Sequence, residues 1–295
     1  MTKVWIEAAL NGAWGRALQP GIPVTTEAII AEGVACARAG AAIIHVHAYD
    51  EAGQHSFDWQ IYAAIIEGIR AQVEVAVYPS YPAVITTQVD AGLADAETRF
   101  APLEALAKRG LIDFAPIDPG SVNFTTLRTG AKTKPAGTYV NTEAHIRHAL
   151  AFAVRHRLPP AFAIYEPGFA RAGAALARAA GLQPPIYRFM FSEAFAFGFP
   201  PKPYALAAYL DLLAAEARDA PWMIAGVCAD IRPLIGETVA RGGHVRVGLE
   251  DAPLGSPTAN VAWVEDAVRL IRAHGGEPAG IADLRQVLGA VVSRA

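Results

Sequence analysis

The chain has 295 residues, 53% hydrophobic and 18% charged, with a net charge of −3 and an isoelectric point near 6.2. That length and composition allow one large α/β barrel or two smaller domains, and no basic run offers a footprint for nucleic acid. Mean hydropathy is +0.25, yet no stretch of about 18 apolar residues is free of charges or Pro and Gly breaks, so no membrane span is expected.

The N-terminus, MTKVWIEAAL, enters a strand pattern at once with no signal-peptide design, which predicts a cytoplasmic protein. A strand over 3–10 leads to a helix over 25–39, opened by Thr25-Thr26-Glu27 and closed by Gly40. A strand over 41–47 ends in His-x-His, and a helix over 57–71 follows. The strand over 73–79 runs into the stiff turn VYPSYP, then a helix over 97–109 and a strand over 111–116. The long polar stretch 117–140 should lie over the active face as a lid or substrate loop. Helices over 142–156, 168–180, 202–216, 232–241 and 257–274 alternate with strands over 160–166, 185–191, 222–228 and 244–249. Eight strand-then-helix units predict a (β/α)8 TIM barrel, a single domain over 1–295, with an additional C-terminal helix in IADLRQVLGAVVSRA. Cys36 and Cys228 sit in apolar segments and are expected to be buried free thiols.

In such a barrel functional groups stand at the C-terminal ends of strands. Alternation along a strand points His45 and His47 the same way. In HVRVGLED, Val245, Val247 and Leu249 should face the outer helices, while Arg246 and Glu250 face the interior with Gly248 between them. Strand eight closes beside strand one, so Glu250 should come near the histidines. Two histidines and a glutamate form a known zinc donor set with one open position. His45, His47 and Glu250 are therefore the expected ligands of one divalent metal, zinc by preference. The competing structural account is a simple Arg246–Glu250 ion pair, since a buried charge is costly unless paired or coordinated. Glu7, at the parity of Trp5 and Ala9, would need a partner such as Arg246 if it points inward. The remaining histidines, His55, His145, His148, His156, His244 and His274, show no converging partner by pattern.

The segments IEAALNGA, AGAAIIHVHAYDEAG, YEPG and GGHVRVGLED resemble the β-keto acid cleavage enzyme family, in the same order along the whole chain. The resemblance implies a zinc-dependent barrel enzyme that converts a β-keto acid and acetyl-CoA into acetoacetate and a new acyl-CoA. It assigns the zinc to His45, His47 and Glu250, and catalytic roles to Asp251, Arg246 and Glu166. It places Ser80 after strand three, and Ser121 and Asn123 in a Gly-Ser-x-Asn-Phe stretch, as substrate contacts. It also implies a homo-oligomer, with a tetramer favoured. Of the cluster, Asp251 is the expected proton-transfer group, because arginine stays protonated below a pH of about 12.

Two departures bear on substrate. Relatives that take an amino-substituted acid carry a glutamate after NGA, where this chain has Trp14, which suits a quaternary ammonium or an apolar tail. Tyr78 and Tyr81 add bulk where relatives have a Gly-rich turn. No phosphate-binding glycine motif is present, so Arg16, Arg128, Lys132 and Lys134 are the candidates for the CoA phosphates. Two other readings stay open from the residues: a zinc hydrolase or CoA-independent lyase acting on a small carboxylate, and a non-catalytic ligand-binding barrel.

Overall fold

The computed structural model describes residues 1–83, 85–86, 95–127 and 137–292. Eight parallel strands make up its main sheet: β1 (Ile6–Ala9), β2 (Ile43–Val46), β3 (Ala76–Pro79), β4 (Ala115–Ile117), β5 (Pro160–Ile164), β6 (Ile186–Ser192), β7 (Trp222–Val227) and β8 (His244–Val247). They are ordered β3-β2-β1-β8-β7-β6-β5-β4, so the first strand pairs with the last, Ile6 opposite Val245. Helices follow the strands in turn: α1 (Thr26–Ala39), α2 (Trp59–Arg70), α3 (Ala96–Lys108), α4 (Glu143–His156), α5 (Pro167–Ala179), α6 (Pro203–Glu216), α7 (Ile235–Ala240) and α8 (Asn260–Ala273). This is the expected (β/α)8 arrangement. The strands read as nearly unbroken apolar runs because helices cover one face and the barrel interior the other.

Helix starts follow local chemistry. The Thr25 and Thr142 hydroxyls accept from the amides of Ala28 and His145, and Asp58 and Asp95 cap α2 and α3 in the same way. Where α3 ends, Gly110 takes a φ of +67°, a conformation closed to most side chains.

The ladder ends at β3 and β4, and a side chain bridges that seam. The Asp113 carboxylate accepts from the Val77 amide at 2.8 Å while facing Arg70 Nη2 at 2.6 Å. A strand amide that a neighbouring strand would otherwise satisfy is thus bonded across the gap.

The first predicted strand is broken at Trp5. Thr2–Val4 pairs with Gly276–Pro278, and β1 resumes at Ile6. Trp5 stacks on the His244 imidazole with ring centroids 3.7 Å apart, and its backbone amide donates to His244 Nδ1 at 3.1 Å. Together with Ile43, Phe114, Ile186 and Met223 it fills the N-terminal end of the barrel, where Leu284 and Leu288 of α9 (Ile281–Val292) join the same cluster. The additional C-terminal helix therefore plugs the barrel floor, and each such leucine contributes about 1.5–3 kcal/mol by burial.

Part of the 117–140 stretch forms a small antiparallel sheet, Val122–Asn123 and Ile85–Thr86 flanking Thr138–Tyr139. Arg128, Lys132 and Lys134 lie outside the described residues. Cys36 and Cys228 are buried, and the two form no disulfide. Among the described residues no helix is long and apolar enough to cross a membrane.

Candidate active site

Three donors converge at the C-terminal mouth of the barrel. His45 lies on β2 and His47 just past its end, and their rings meet edge to face at 5.2 Å. Glu250 arrives from the other end of the chain. Strand β8 stops at Gly248, whose φ of +138° no larger residue adopts easily and whose missing Cβ lets the backbone lie against Ala9. The turn that follows directs Glu250 inward, its amide donating to the Ala9 carbonyl at 3.2 Å. Alternation stops at this glycine. Leu249 accordingly leaves the outer-helix face and packs with Ile22 and Tyr49 instead.

His45 Nε2 lies 3.4 Å from Glu250 Oε2, and His47 Nε2 lies 3.5 Å from Oε1. One donor atom from each of the three residues falls within 4.8 Å of the others. Ligands about 2.0–2.1 Å from a tetrahedral zinc stand roughly 3.3–3.4 Å apart, so the separations fit. Glu250 Oε2 is buried and makes no hydrogen bond, the condition of an atom reserved for another partner.

The far ring nitrogens are already occupied. His45 Nδ1 lies 3.2 Å from the Tyr78 carbonyl, and His47 Nδ1 lies 2.8 Å from His55 Nε2. Placing the proton on Nδ1 in both rings, an assignment drawn from these partners, turns both Nε2 lone pairs toward Glu250. His55 thus does have a converging partner, contrary to the sequence reading. The Asp50–Gly53 turn returns the chain so that His55 pairs with Tyr49, diagonal to His47. The Asp-x-x-Gly spacing was the signal that could have revealed it.

Two buried asparagines hold the segments that carry the converging donors. Asn11 accepts from the His47 amide at 2.9 Å and donates to its carbonyl at 3.0 Å. Asn260 accepts from the Leu249 amide at 2.7 Å and donates to the Leu10 carbonyl at 2.8 Å.

Arg246 is the electrostatic hub. It grips Asp251 through two nitrogens, Nε to Oδ2 at 2.9 Å and Nη2 to Oδ1 at 2.8 Å, and reaches Glu250 Oε1 at 2.9 Å and Glu7 Oε1 at 2.9 Å. The bland Arg246–Glu250 ion pair is therefore present, but inside a larger network. Glu7, wholly buried, also binds Arg188 at 3.1 Å and the Tyr78 hydroxyl at 2.5 Å. Burial works against its charge, but Arg188 and Arg246 outweigh that and hold its carboxyl below the usual range. Burial likewise disfavours charge on Glu250, but the His45 ring beside it and Arg246 hold the carboxyl well below the usual range. Burial keeps His45 neutral. A carboxylate beside a neutral imidazole is the protonation state a divalent ion requires. Burial pushes the Asp251 carboxyl up to about 6, against the pull of Arg246.

All of these groups except Glu7 line a cavity of 410 Å³. Of the residues expected there, Trp14, Ser80, Arg246 and Asp251 line it with the three donors. Trp14 also donates its indole N–H to the Glu250 carbonyl at 2.7 Å, tying the loop after β1 to the ligand turn. Ser121, Asn123 and Glu166 are not brought into the lining. Ser121 exchanges hydrogen bonds with the backbone of Asn141, and Asn123 accepts from the Thr138 hydroxyl. Glu166 stands at the N-terminus of α5, and the carboxylate touching Arg246 from another strand is Glu7. Arg16 is exposed and donates to the Ile22 carbonyl.

Sequence reasoning missed Arg188. It lies on β6, 4% exposed, and lines the cavity. Only its Nε is bonded to a carboxylate, and its two terminal nitrogens make no hydrogen bond among the described residues. The signal was the same as for Arg246: a charge at an inward position of an apolar strand, IYRFMFS.

Comparison with known proteins gives a consistent result. A family model described as beta-keto acid cleavage enzyme matches residues 3–290. The 3-keto-5-aminohexanoate cleavage enzyme of Fusobacterium nucleatum is 27% identical over 98% of this chain and 98% of its own. The 3-oxoadipate:acetyl-CoA acetyltransferase of Cupriavidus necator is 25% identical over 96% of this chain and 94% of its own. Among solved structures, the apo structure of ObcA superposes with a TM-score of 0.69 at 16% identity, covering 92% of this chain. This chain spans 66% of ObcA, and at that identity the likeness speaks for the barrel fold alone.

Proposed function

Because the chain belongs to the beta-keto acid cleavage enzyme family, we propose that it converts a β-keto acid and acetyl-CoA into acetoacetate and the corresponding acyl-CoA, its residues 1–295 acting as one barrel domain. The observation that carries the reading is the convergence of His45, His47 and Glu250 within 4.8 Å beside the Arg246–Asp251 pair. The names of two relatives, one an acetyl-CoA acetyltransferase, point to the same chemistry.

His45 Nε2, His47 Nε2 and the Glu250 carboxylate would hold one zinc ion, which when bound supplies Lewis acidity for the enolate formed as the carbon between ketone and carboxylate loses its proton. Asp251 faces the cavity and takes that proton. Its two contacts from Arg246 and the Gly226 amide at 3.1 Å fix the carboxylate in place. The terminal nitrogens of Arg188 receive the substrate carboxylate, while Glu7 anchors the guanidinium from behind. Ser80, whose hydroxyl among the described residues has only a 3.5 Å contact to the Tyr81 carbonyl, would donate to an oxygen that gains charge.

The deprotonated carbon attacks the acetyl thioester, and the CoA thiolate leaves. That thiolate then adds to the original ketone, and cleavage of the bond beside it releases the new acyl-CoA and the enolate of acetoacetate, whose carbon takes back the proton held by Asp251. Arg246 and Arg188, both anchored by Glu7, stay charged throughout, so developing oxyanions meet preorganised guanidinium donors. The proposal includes a cytoplasmic location and, as the family resemblance implies, a homotetramer, which sedimentation equilibrium checks.

The test is to incubate the purified protein with a panel of β-keto acids, with and without acetyl-CoA, and measure acetoacetate. Acetoacetate formed only when acetyl-CoA is present is the expected result. Cleavage without CoA would replace this reading with the hydrolase or lyase, and absence of turnover across the panel would favour a ligand-binding barrel.

A further inference from the structure

A second charged group faces the cavity away from the metal ligands. Asp118 follows β4, four strands round the barrel from β8, and lines the same cavity as Glu250. Its Oδ2 accepts from the Tyr81 hydroxyl at 2.7 Å and from the Tyr139 hydroxyl, and its backbone amide donates to the Tyr81 oxygen at 3.3 Å. Both tyrosines fix the carboxylate, and its Oδ1 accepts no hydrogen bond from any described residue. Around it the wall is aromatic. The rings of Phe124, Tyr139 and Tyr165 stand 6.0–6.3 Å apart, centroid to centroid, and all three line the cavity.

The positive charges lie elsewhere. Among the described lining residues the only cationic side chains are Arg188 and Arg246, both bound to Glu7. Arg99, which stacks behind Tyr81 and Tyr139, is wholly buried, does not line the cavity, and bonds to Pro82 O, Val140 O and Asn141. A substrate whose carboxylate engages Arg188 extends its tail along the remaining wall. An acidic tail would meet Asp118 as a like charge. A neutral tail would strip water from Oδ1 and return no hydrogen bond, which is unfavourable. A cationic tail neutralises the carboxylate and lies against aromatic faces that favour it.

We propose that Asp118 is a specificity-determining residue and that the enzyme prefers β-keto acids whose tail ends in a positively charged amine. The inference rests on the β-keto acid reading above and assigns the substrate class within it. It also sets this chain apart from a relative named for an acid with a second carboxylate.

The test compares tails that differ only in charge. One β-keto acid ends in trimethylammonium, a second in its tert-butyl isostere, a third in a primary ammonium and a fourth in a carboxylate, each assayed with acetyl-CoA. The wild type should show a kcat/KM at least about tenfold higher for the trimethylammonium acid than for the isostere, equal to about 1.4 kcal/mol. Asp118→Asn, which keeps the shape and an acceptor for the tyrosines, should bring that ratio toward one. The primary ammonium, able to donate to Oδ1, shows whether a hydrogen bond or charge alone is read. Calorimetric binding of a saturated acid ending in trimethylammonium, against its tert-butyl isostere, gives a second readout that needs no turnover. Tighter binding of the cationic acid supports the proposal even if no β-keto acid is cleaved, an outcome that would defeat only the catalytic reading. Equal binding of the two acids, a wild-type preference for neutral or acidic tails, or a cationic preference that survives Asp118→Asn would overturn it. If Asp118 were only a counter-charge for Arg99, the substitution would lower Tm and leave the ratio unmoved.

Discussion

His55 Nε2 stands 2.8 Å from His47 Nδ1, so one imidazole sets the orientation of another whose free nitrogen faces Glu250. Burial pushes the His55 pKa down to about 3, which keeps it a neutral acceptor for His47. Because it orients a proposed ligand without being one, His55→Ala should lower zinc affinity about 10–100-fold while the fold survives. Competition with a chromogenic chelator measures this. An unchanged affinity would mean the contact has no part in holding the metal.

Removing the metal tests the three donors directly. Dialysis against a chelator should abolish turnover, and added zinc should restore it. His45→Ala and Glu250→Gln should each purify with less than stoichiometric metal but with native circular dichroism. Asp251→Asn should retain the zinc yet lose about 10²–10⁴ in kcat, the range for a lost proton-transfer group. Full zinc content in Glu250→Gln would refute its assignment as a ligand.

Arg188 is proposed to receive the substrate carboxylate through terminal nitrogens that make no hydrogen bond among the described residues. Replacing it by glutamine should reduce kcat/KM for the β-keto acid by roughly 10–100-fold, since a hydrogen bond to a charged group contributes about 1.5–3 kcal/mol. The KM for acetyl-CoA should change little. Glu7 would lose one of its two cationic partners, so a lower Tm is also expected. A drop in Tm with normal steady-state kinetics would leave Arg188 a purely structural residue.

Acid sensitivity should come in part from the barrel floor. Burial pushes the His244 pKa from 6.5 down to about 3, where the ring stacks on Trp5 and accepts from its amide. The unfolded chain therefore binds this proton first. The stabilising contribution is complete above pH 6.5 and is lost progressively as pH falls toward 3. By pH 5 the loss amounts to about 2 kcal/mol. His244→Asn, which can still accept from the Trp5 amide but does not titrate, should flatten that limb in urea melts at pH 7 and pH 5. Parallel slopes in the two proteins would remove His244 from the account.

Gly248 makes the Glu250 turn possible. Its φ of +138° and its contact with the Ala9 backbone leave no place for a side chain. Gly248→Ala should cost about 1–3 kcal/mol in backbone strain and displace Glu250, so zinc affinity should fall with stability. A variant of native stability and full metal content would contradict this role.

The elements that sequence patterns recovered were those written in local periodicity. Alternating strands and capped helices announced eight units, and His45, Val46 and His47 alone state which two side chains share a face. Arg246 and Glu250 were legible because charge at inward positions of an apolar strand demands a partner. Arg188 carried the same mark inside IYRFMFS. His55 was signalled only by a turn, and its relevance depended on where that turn returned the chain. Ser121, Asn123 and Glu166 matched motifs, yet motif position does not state which way a side chain points. Ser121 found a backbone partner 20 residues on, at Asn141.

By itself, then, the linear order of residues determined the strand and helix periods and the turn-forming glycines, because each depends on neighbours within a few positions along the chain. Tertiary structure alone decided that three carboxylates share Arg246, that the terminal nitrogens of Arg188 make no hydrogen bond among the described residues, and where Asp118 faces. Those outcomes arise from pairing β1 with β8 and from closing a ring of strands, contacts between residues as far apart as Glu7 and Arg246. No local preference encodes such distances; they follow from burying eight apolar strands around a common axis.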